Sequence, residues 1–84
     1  MSFTVEWRPS ADDELARLWV DHPAERNQIA AAAALDTALR RDPSALGESR
    51  AGAARVACEG PLAIAFDVFP NQHRVLVKAV WRSR

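Results

Sequence analysis

The stretch Arg40-Arg41-Asp42-Pro43-Ser44-Ala45-Leu46-Gly47-Glu48-Ser49-Arg50 divides the chain into two halves of different kind. Before it lies an alanine-rich half with helical periodicity. After it, apolar and polar residues alternate. Asp42-Pro43 stops a helix, because proline lacks the N–H that would continue the ladder and drives the preceding residue out of the α region. Ser44 to Gly52, with Gly47 and Gly52, reads as a loop. The formal charge also changes sign here. Five cations face nine anions up to Glu48, a balance of −4, and six cations face two anions from Ser49 onward, a balance of +4. The neutral total therefore hides a basic second half, and a basic sheet surface suggests an anionic partner.

Working back toward the N-terminus, Pro23 to Arg41 reads as one helix. Proline fits the first helical position with Asp21 or His22 as cap, and Ala30 to Ala34 lose almost no side-chain entropy in a helix. Ile29, Ala32, Ala33, Leu35 and Leu39 form its apolar stripe. A shorter helix precedes it, ending near Val20, with Ala11, Leu15, Leu18 and Trp19 at helical spacing. Ser10, three residues before Asp13, has close to capping-box spacing, and Asp12, Asp13 and Glu14 suit a helix start rather than a metal site. Before that, Phe3, Val5 and Trp7 alternate with Thr4, Glu6 and Arg8, the period of a strand, which Pro9 ends.

Working forward, Ala53 to Glu59 is a strand closed by a Glu59-Gly60 turn. Leu62, Ile64, Phe66 and Val68 alternate with Ala63, Ala65, Asp67 and Phe69 in the next strand. Pro70 to His73 turns the chain into a last strand, Arg74 to Arg82. Leucine and valine occupy both of its faces, which predicts a central strand covered on both sides. The order is β-α-α-β-β-β: an α+β fold with a helical hairpin on one face of a mainly antiparallel sheet. The other face, expected to gather the positive charge, is left to solvent or a partner.

At 84 residues this is one domain with a thin core. Cys58 is alone, so no internal disulfide forms. This fits a reducing cytoplasm, and the residue is expected to pack as an inert strand side chain. One cysteine and two distant histidines, His22 and His73, cannot build a zinc site, and no phosphate-binding glycine loop is present, so no metal or cofactor is expected. No secretory signal and no membrane-length apolar run is legible.

Several segments in this order carry a resemblance: Phe3-Thr4-Val5-Glu6-Trp7-Arg8-Pro9-Ser10-Ala11-Asp12-Asp13-Glu14-Leu15, then Ala38-Leu39-Arg40-Arg41-Asp42-Pro43, Gly47-Glu48-Ser49-Arg50, Arg55-Val56, Gly60-Pro61-Leu62-Ala63-Ile64-Ala65-Phe66-Asp67-Val68 and Val80-Trp81-Arg82. The set resembles the RelE/ParE family of toxins from type II toxin–antitoxin pairs, of the plasmid-stabilisation type, over nearly the whole chain. The resemblance implies a compact α+β toxin neutralised by a cognate antitoxin. RelE-like members cut messenger RNA on the ribosome, ParE-like members block DNA gyrase, and some relatives have lost both activities.

Metal-free RNA cleavage needs a base, an acid and cations that stabilise the phosphorane. By the resemblance, Arg55, Arg82 and Glu48 fall where nuclease members carry catalytic groups, and Arg50, Lys78 and Arg84 are candidates for contacting target or phosphate. The departures point the other way. Nuclease members carry an arginine just after the second hairpin glycine, where this chain has Gly60-Pro61-Leu62-Ala63. Their terminal tyrosine or histidine is also missing, since the chain has no Tyr. Trp7 and Trp81 are expected chiefly as core residues. The resulting expectation is a toxin that inhibits growth by binding a target, as a gyrase inhibitor does, with a ribosome-dependent nuclease and a non-toxic antitoxin binder as alternatives.

Overall fold

In the computed structural model, residues 2–32 and 34–83 are described, with residues 31 and 32 as backbone alone. The elements run β1 (Thr4–Trp7), α1 (Pro9–Asp21), α2 (Arg26–Ala32), α3 (Leu35–Arg41), β2 (Glu48–Ser49), β3 (Ala54–Glu59), β4 (Leu62–Phe69) and β5 (Arg74–Arg82). Short 3₁₀ turns at Pro23–Glu25, Pro43–Ala45 and Pro70–Gln72 connect them, each opened by the proline that the sequence supplies.

The sheet order is β1-β5-β4-β3-β2. β3, β4 and β5 form the expected antiparallel meander, and β1 joins it in parallel, with Thr4 opposite Arg74 and Trp7 opposite Val77. The mixed α+β architecture is thus the one expected. Within it, β2 is an added edge strand inside the segment read as loop, with Glu48 opposite Val56 and Ser49 opposite Arg55. Gly47 makes it possible. Its φ is +62°, and a Cβ there would lie 2.0 Å from the Val56 carbonyl oxygen, so only glycine lets the loop come down onto β3.

The single second helix is corrected to a turn followed by two helices. Ile29 and Leu35 are both buried. Six residues apart on one helix, they would point about 120° away from each other. Dividing the segment lets both side chains reach the core, and burial decides helix position where alanine propensity alone does not. Ala33 lies outside the described residues. The capping box is also corrected: Arg8 occupies the N-cap position without a side-chain cap, and Pro9 starts α1 directly.

Leu62, Ile64, Phe66 and Val68 of β4 and Val75, Val77 and Val80 of β5 meet Val5, Ala11, Ile29, Leu35, Leu39 and Ala57 in the core. β5 is an inner strand but is covered on one face. A bulge places Ala65 opposite Ala79 and Phe66 opposite Val77, which leaves Lys78 as the extra residue. The bulge keeps Val77 and Val80 on the core side, while Leu76 and Lys78 are half-buried on the other. On β1, Trp7 packs partly against the core and its Nε1–H donates to Asp36 Oδ1 at 3.0 Å, tying β1 to α3.

Candidate functional site

Residues directly opposite each other in an antiparallel ladder share a face of the sheet. Arg55 lies opposite Phe66 and Arg82 opposite Leu62, so both arginines share the helix-covered side with the core. The expected concentration of positive charge on the open face is therefore corrected. The Gly60-Pro61 hairpin fixes this register and was the sequence signal that could have revealed it.

Arg55 is held by three acceptors. Its Nε–H donates to the Leu46 carbonyl at 2.9 Å, and its terminal nitrogens donate to the Gly47 carbonyl and Ser49 Oγ, each at 3.2 Å. The guanidinium thus fastens the Leu46–Ser49 loop to β3. Beside it, Arg50 donates to Glu48 at 3.2 Å across the exposed edge. Ser44, Ser49, Gly52, Ala53, Arg55, Val68 and Pro70 line a shallow depression of about 340 Å³ here. Of the sequence candidates Arg55 lines this depression, whereas Glu48, opposite Val56, and its partner Arg50 belong to the open face across the same β2–β3 edge.

Arg82 lies elsewhere. Four residues along the strands and two strands across put its Cα roughly 16 Å from that of Arg55, too far for one phosphate to engage both. It makes a bidentate pair with Glu25, at 2.9 and 2.6 Å, which links the Pro23–Glu25 turn to the end of β5. The Arg82 hydrogen bonds hold the Glu25 carboxyl below its ordinary value against the opposing effect of burial, and Glu25 in turn raises the Arg82 guanidinium. His22 Nδ1 stands 3.8 Å from the same carboxylate, so its side chain faces Glu25 and does not cap a helix. Glu25 was missed as a partner because 57 residues separate it from Arg82. Arg84 lies outside the described residues.

Among the described residues the open face carries three ion pairs: Asp67–Lys78 at 2.9 Å, Glu6–Arg74 at 3.2 Å and Glu48–Arg50 at 3.2 Å. Between and beyond them the face is apolar. Cys58, Ala63 and Trp81 form one row across β3, β4 and β5, and Val56, Ala65 and Ala79 form the next. Both Cys58 and Trp81 depart from their expected core role. Cys58 is exposed and Trp81 retains 40% exposure, because strand alternation puts them on the face opposite the core; Trp81, near the end of β5, also borders Glu14, Arg17, Leu18 and Asp21 of α1. The stretch Gly60-Pro61-Leu62-Ala63 thus opens a strand whose outward position, Ala63, has no cation beside it.

A second region lies behind the sheet. Ala34, Thr37, Ala38, Arg41, Asp42, Ala45 and Leu46 line a mostly apolar groove of about 470 Å³ along α3. Glu59 of β3 lies beside the groove's Ala34, Ala38 and Leu46, past the end of β2, where among the described residues Ala57 to Glu59 have no outer strand partner. Among the described residues, no three His, Cys, Asp or Glu side chains gather to hold a metal ion, and no helix is long and apolar enough to cross a membrane.

No family model and no curated protein matches the sequence. Solved structures do. A chain of the toxin–antitoxin complex RelBE2 from Mycobacterium tuberculosis superposes with a TM-score of 0.77 at 19% identity, over 98% of this chain and 99% of that one. The fold is RelE/ParE-like. A chain from the chromosomal ParDE toxin–antitoxin system of P. aeruginosa superposes with a TM-score of 0.66 at 13% identity, over 98% and 97% of the two chains. The RelE/ParE-like fold thus accounts for the chain essentially end to end.

Proposed function

We propose that this chain is the toxin of a type II toxin–antitoxin pair, acting in the cytoplasm by binding a cellular target and silenced by a cognate antitoxin. Full-length likeness to chains from two toxin–antitoxin complexes supports the pairing. Binding is favoured over cleavage by one feature, the cation-free row Cys58–Ala63–Trp81 on the open face. Phosphoryl transfer without metal requires free cations where charge develops, whereas Lys78, Arg74 and Arg50 on that face are each paired with a carboxylate. An apolar face around an exposed tryptophan suits protein recognition, of which a gyrase-type target is an example. The groove along α3 and the open edge of β3 beside it suit an antitoxin segment that adds a short strand and lays apolar side chains against Ala38 and Leu46.

The runner-up is a ribosome-dependent nuclease, favoured by Arg55 on one face and Glu48 and Arg50 on the other face of the β2–β3 edge, with Arg82 and Lys78 as further phosphate contacts once their partners release them. Induced expression of the chain alone, and together with a candidate antitoxin, tests the proposal. Growth arrest relieved by the antitoxin is expected, with gyrase supercoiling inhibited and no new messenger ends in primer extension. Arrest that persists in Trp81→Ala but disappears in Arg55→Lys, together with ribosome-dependent cuts, overturns it in favour of the nuclease. The absence of any growth defect leaves antitoxin binding as the sole function.

A further inference from the structure

We propose that Arg55 is the receptor for a carboxylate side chain of an acidic peptide segment, taken up in the depression between the Pro43–Ala45 turn and the start of β3. The site lies on the helix side of the sheet, apart from the open face and from the groove along α3. It does not depend on the toxin reading. Three observations carry it.

The first is an unbalanced charge. Of the arginines and lysines among the described residues, only Arg55, Arg74 and Lys78 are half-buried. Arg74 holds Glu6, and Lys78 holds Asp67. Arg55 enters no ion pair among the described residues and is met by two carbonyls and one hydroxyl. A guanidinium drawn partly out of water without a counter-ion carries an uncompensated cost, which an incoming carboxylate removes.

The second is a fixed donor set. A guanidinium carries five N–H groups. Three of those on Arg55 donate to Leu46, Gly47 and Ser49, which fixes its plane and leaves two with no acceptor among the described residues. The hydroxyls of Ser44 and Ser49 border the same depression. Two N–H groups and two hydroxyls give at most four donors around one positive charge. That matches a carboxylate, with its two oxygens and single negative charge. It falls short of a phosphate ester, which brings three acceptor oxygens and roughly twice the charge.

The third is the wall. Ala53, Val68 and Pro70 complete the depression, and no acidic residue lines it. An apolar wall beside one oriented cation suits the methylene stem of a glutamate. The volume of about 340 Å³ is at the low end for a ligand pocket, which favours a side chain over a larger molecule. Ser49 belongs to β2, the outer strand of the sheet, so an extended segment passing that edge reaches the site.

NMR titration of the isotope-labelled chain at neutral pH with N-acetylglutamate N-methylamide, a capped single residue, tests this. Saturable shifts are expected at the Arg55 Nε–H and at the Ser49 and Ala53 amides, with a Kd of roughly 10–100 mM for one charge-assisted contact. The glutamine analogue should bind at least tenfold more weakly. Arg55→Lys keeps the charge without the fork and should weaken binding at least fivefold. Ser44→Ala leaves the three Arg55 hydrogen bonds in place and should weaken it about threefold. Core amide shifts report whether each variant is folded. Arg41, exposed and in no ion pair among the described residues, is the internal reference, and its signal should drift without saturating. No saturable shift by about 200 mM, or saturation shared by the glutamine analogue or by Arg41, overturns the proposal. So does binding unchanged in both variants. Tighter binding of inorganic phosphate returns Arg55 to phosphoryl contact, and acetate binding as tightly marks a site for free small carboxylates; either result overturns the peptide assignment.

Discussion

Replacing Gly47 by alanine tests how the edge of the sheet is built. The added Cβ would stand 2.0 Å from the Val56 carbonyl oxygen, 2.7 Å from its carbon and 2.8 Å from the Ala57 Cα, all backbone atoms of β3. Even a close carbon–oxygen contact holds the atoms about 3.3 Å apart, so loop and strand must separate by more than an ångström. An N–H···O bond stretched that far is lost. The two-residue β2 ladder goes, and the Arg55 contacts to Leu46 and Gly47 are displaced with it. Two or three hydrogen bonds at about 1 kcal/mol each, added to roughly 1 kcal/mol for alanine at positive φ, give a loss of about 3–4 kcal/mol. A chain of this length holds only ~4–13 kcal/mol in total, so the midpoint should fall by at least ~12 °C. Gly52→Ala is the internal control, because its φ is +63° but nothing lies within 4 Å of the added carbon. It should cost only about 1 kcal/mol. Urea denaturation of both variants measures the difference, and equal losses would refute the steric argument.

Leu39→Ala removes a side chain with no exposed surface and should cost about 2–5 kcal/mol, lowering the thermal midpoint by at least ~8 °C by circular dichroism. Arg55→Lys keeps the charge but loses the three-point fork, so hydrogen exchange at Glu48 and Ser49 should accelerate roughly tenfold while the core amides hold their protection. Acid should destabilise the fold through Glu25 and Asp36, whose carboxyls sit below their ordinary values. Arg82 hydrogen bonds dominate at Glu25. At Asp36, burial raises the value but is outweighed by hydrogen bonds from Arg40 and Trp7. Their folded-state values are lowered, so this stability is full above about pH 4.5 and is lost as pH falls below it. Glu25→Gln should flatten the fall measured by urea midpoint against pH.

Most of the architecture was legible because it rests on local patterns. Phe3-Val5-Trp7 and Leu62-Ile64-Phe66-Val68 alternate cleanly, and Asp42-Pro43 and Pro70-Asn71 punctuate without ambiguity. The alanine run hid the division into α2 and α3, since alanine favours any helix and says nothing about which way Ile29 and Leu35 must face. The two-residue β2 carries no periodicity to read. The site was less legible than the fold, because the role of a cation depends on what faces it. Nothing near Arg82 in sequence announces Glu25, and the Lys78 bulge becomes visible only once β4 and β5 are laid in register.

The parallel pairing of Thr4–Trp7 with Arg74–Val77 joins segments 70 residues apart. No short turn brings them together, so this seam closes only after the meander exists and pays the largest loop-closure entropy in the sheet. What zips last is the natural first point of opening. A fluctuation that frees β1 would bare the flank of β5 and detach the Trp7–Asp36 tether, which makes the N-terminal strand the place where cellular proteases would first find a grip on the chain.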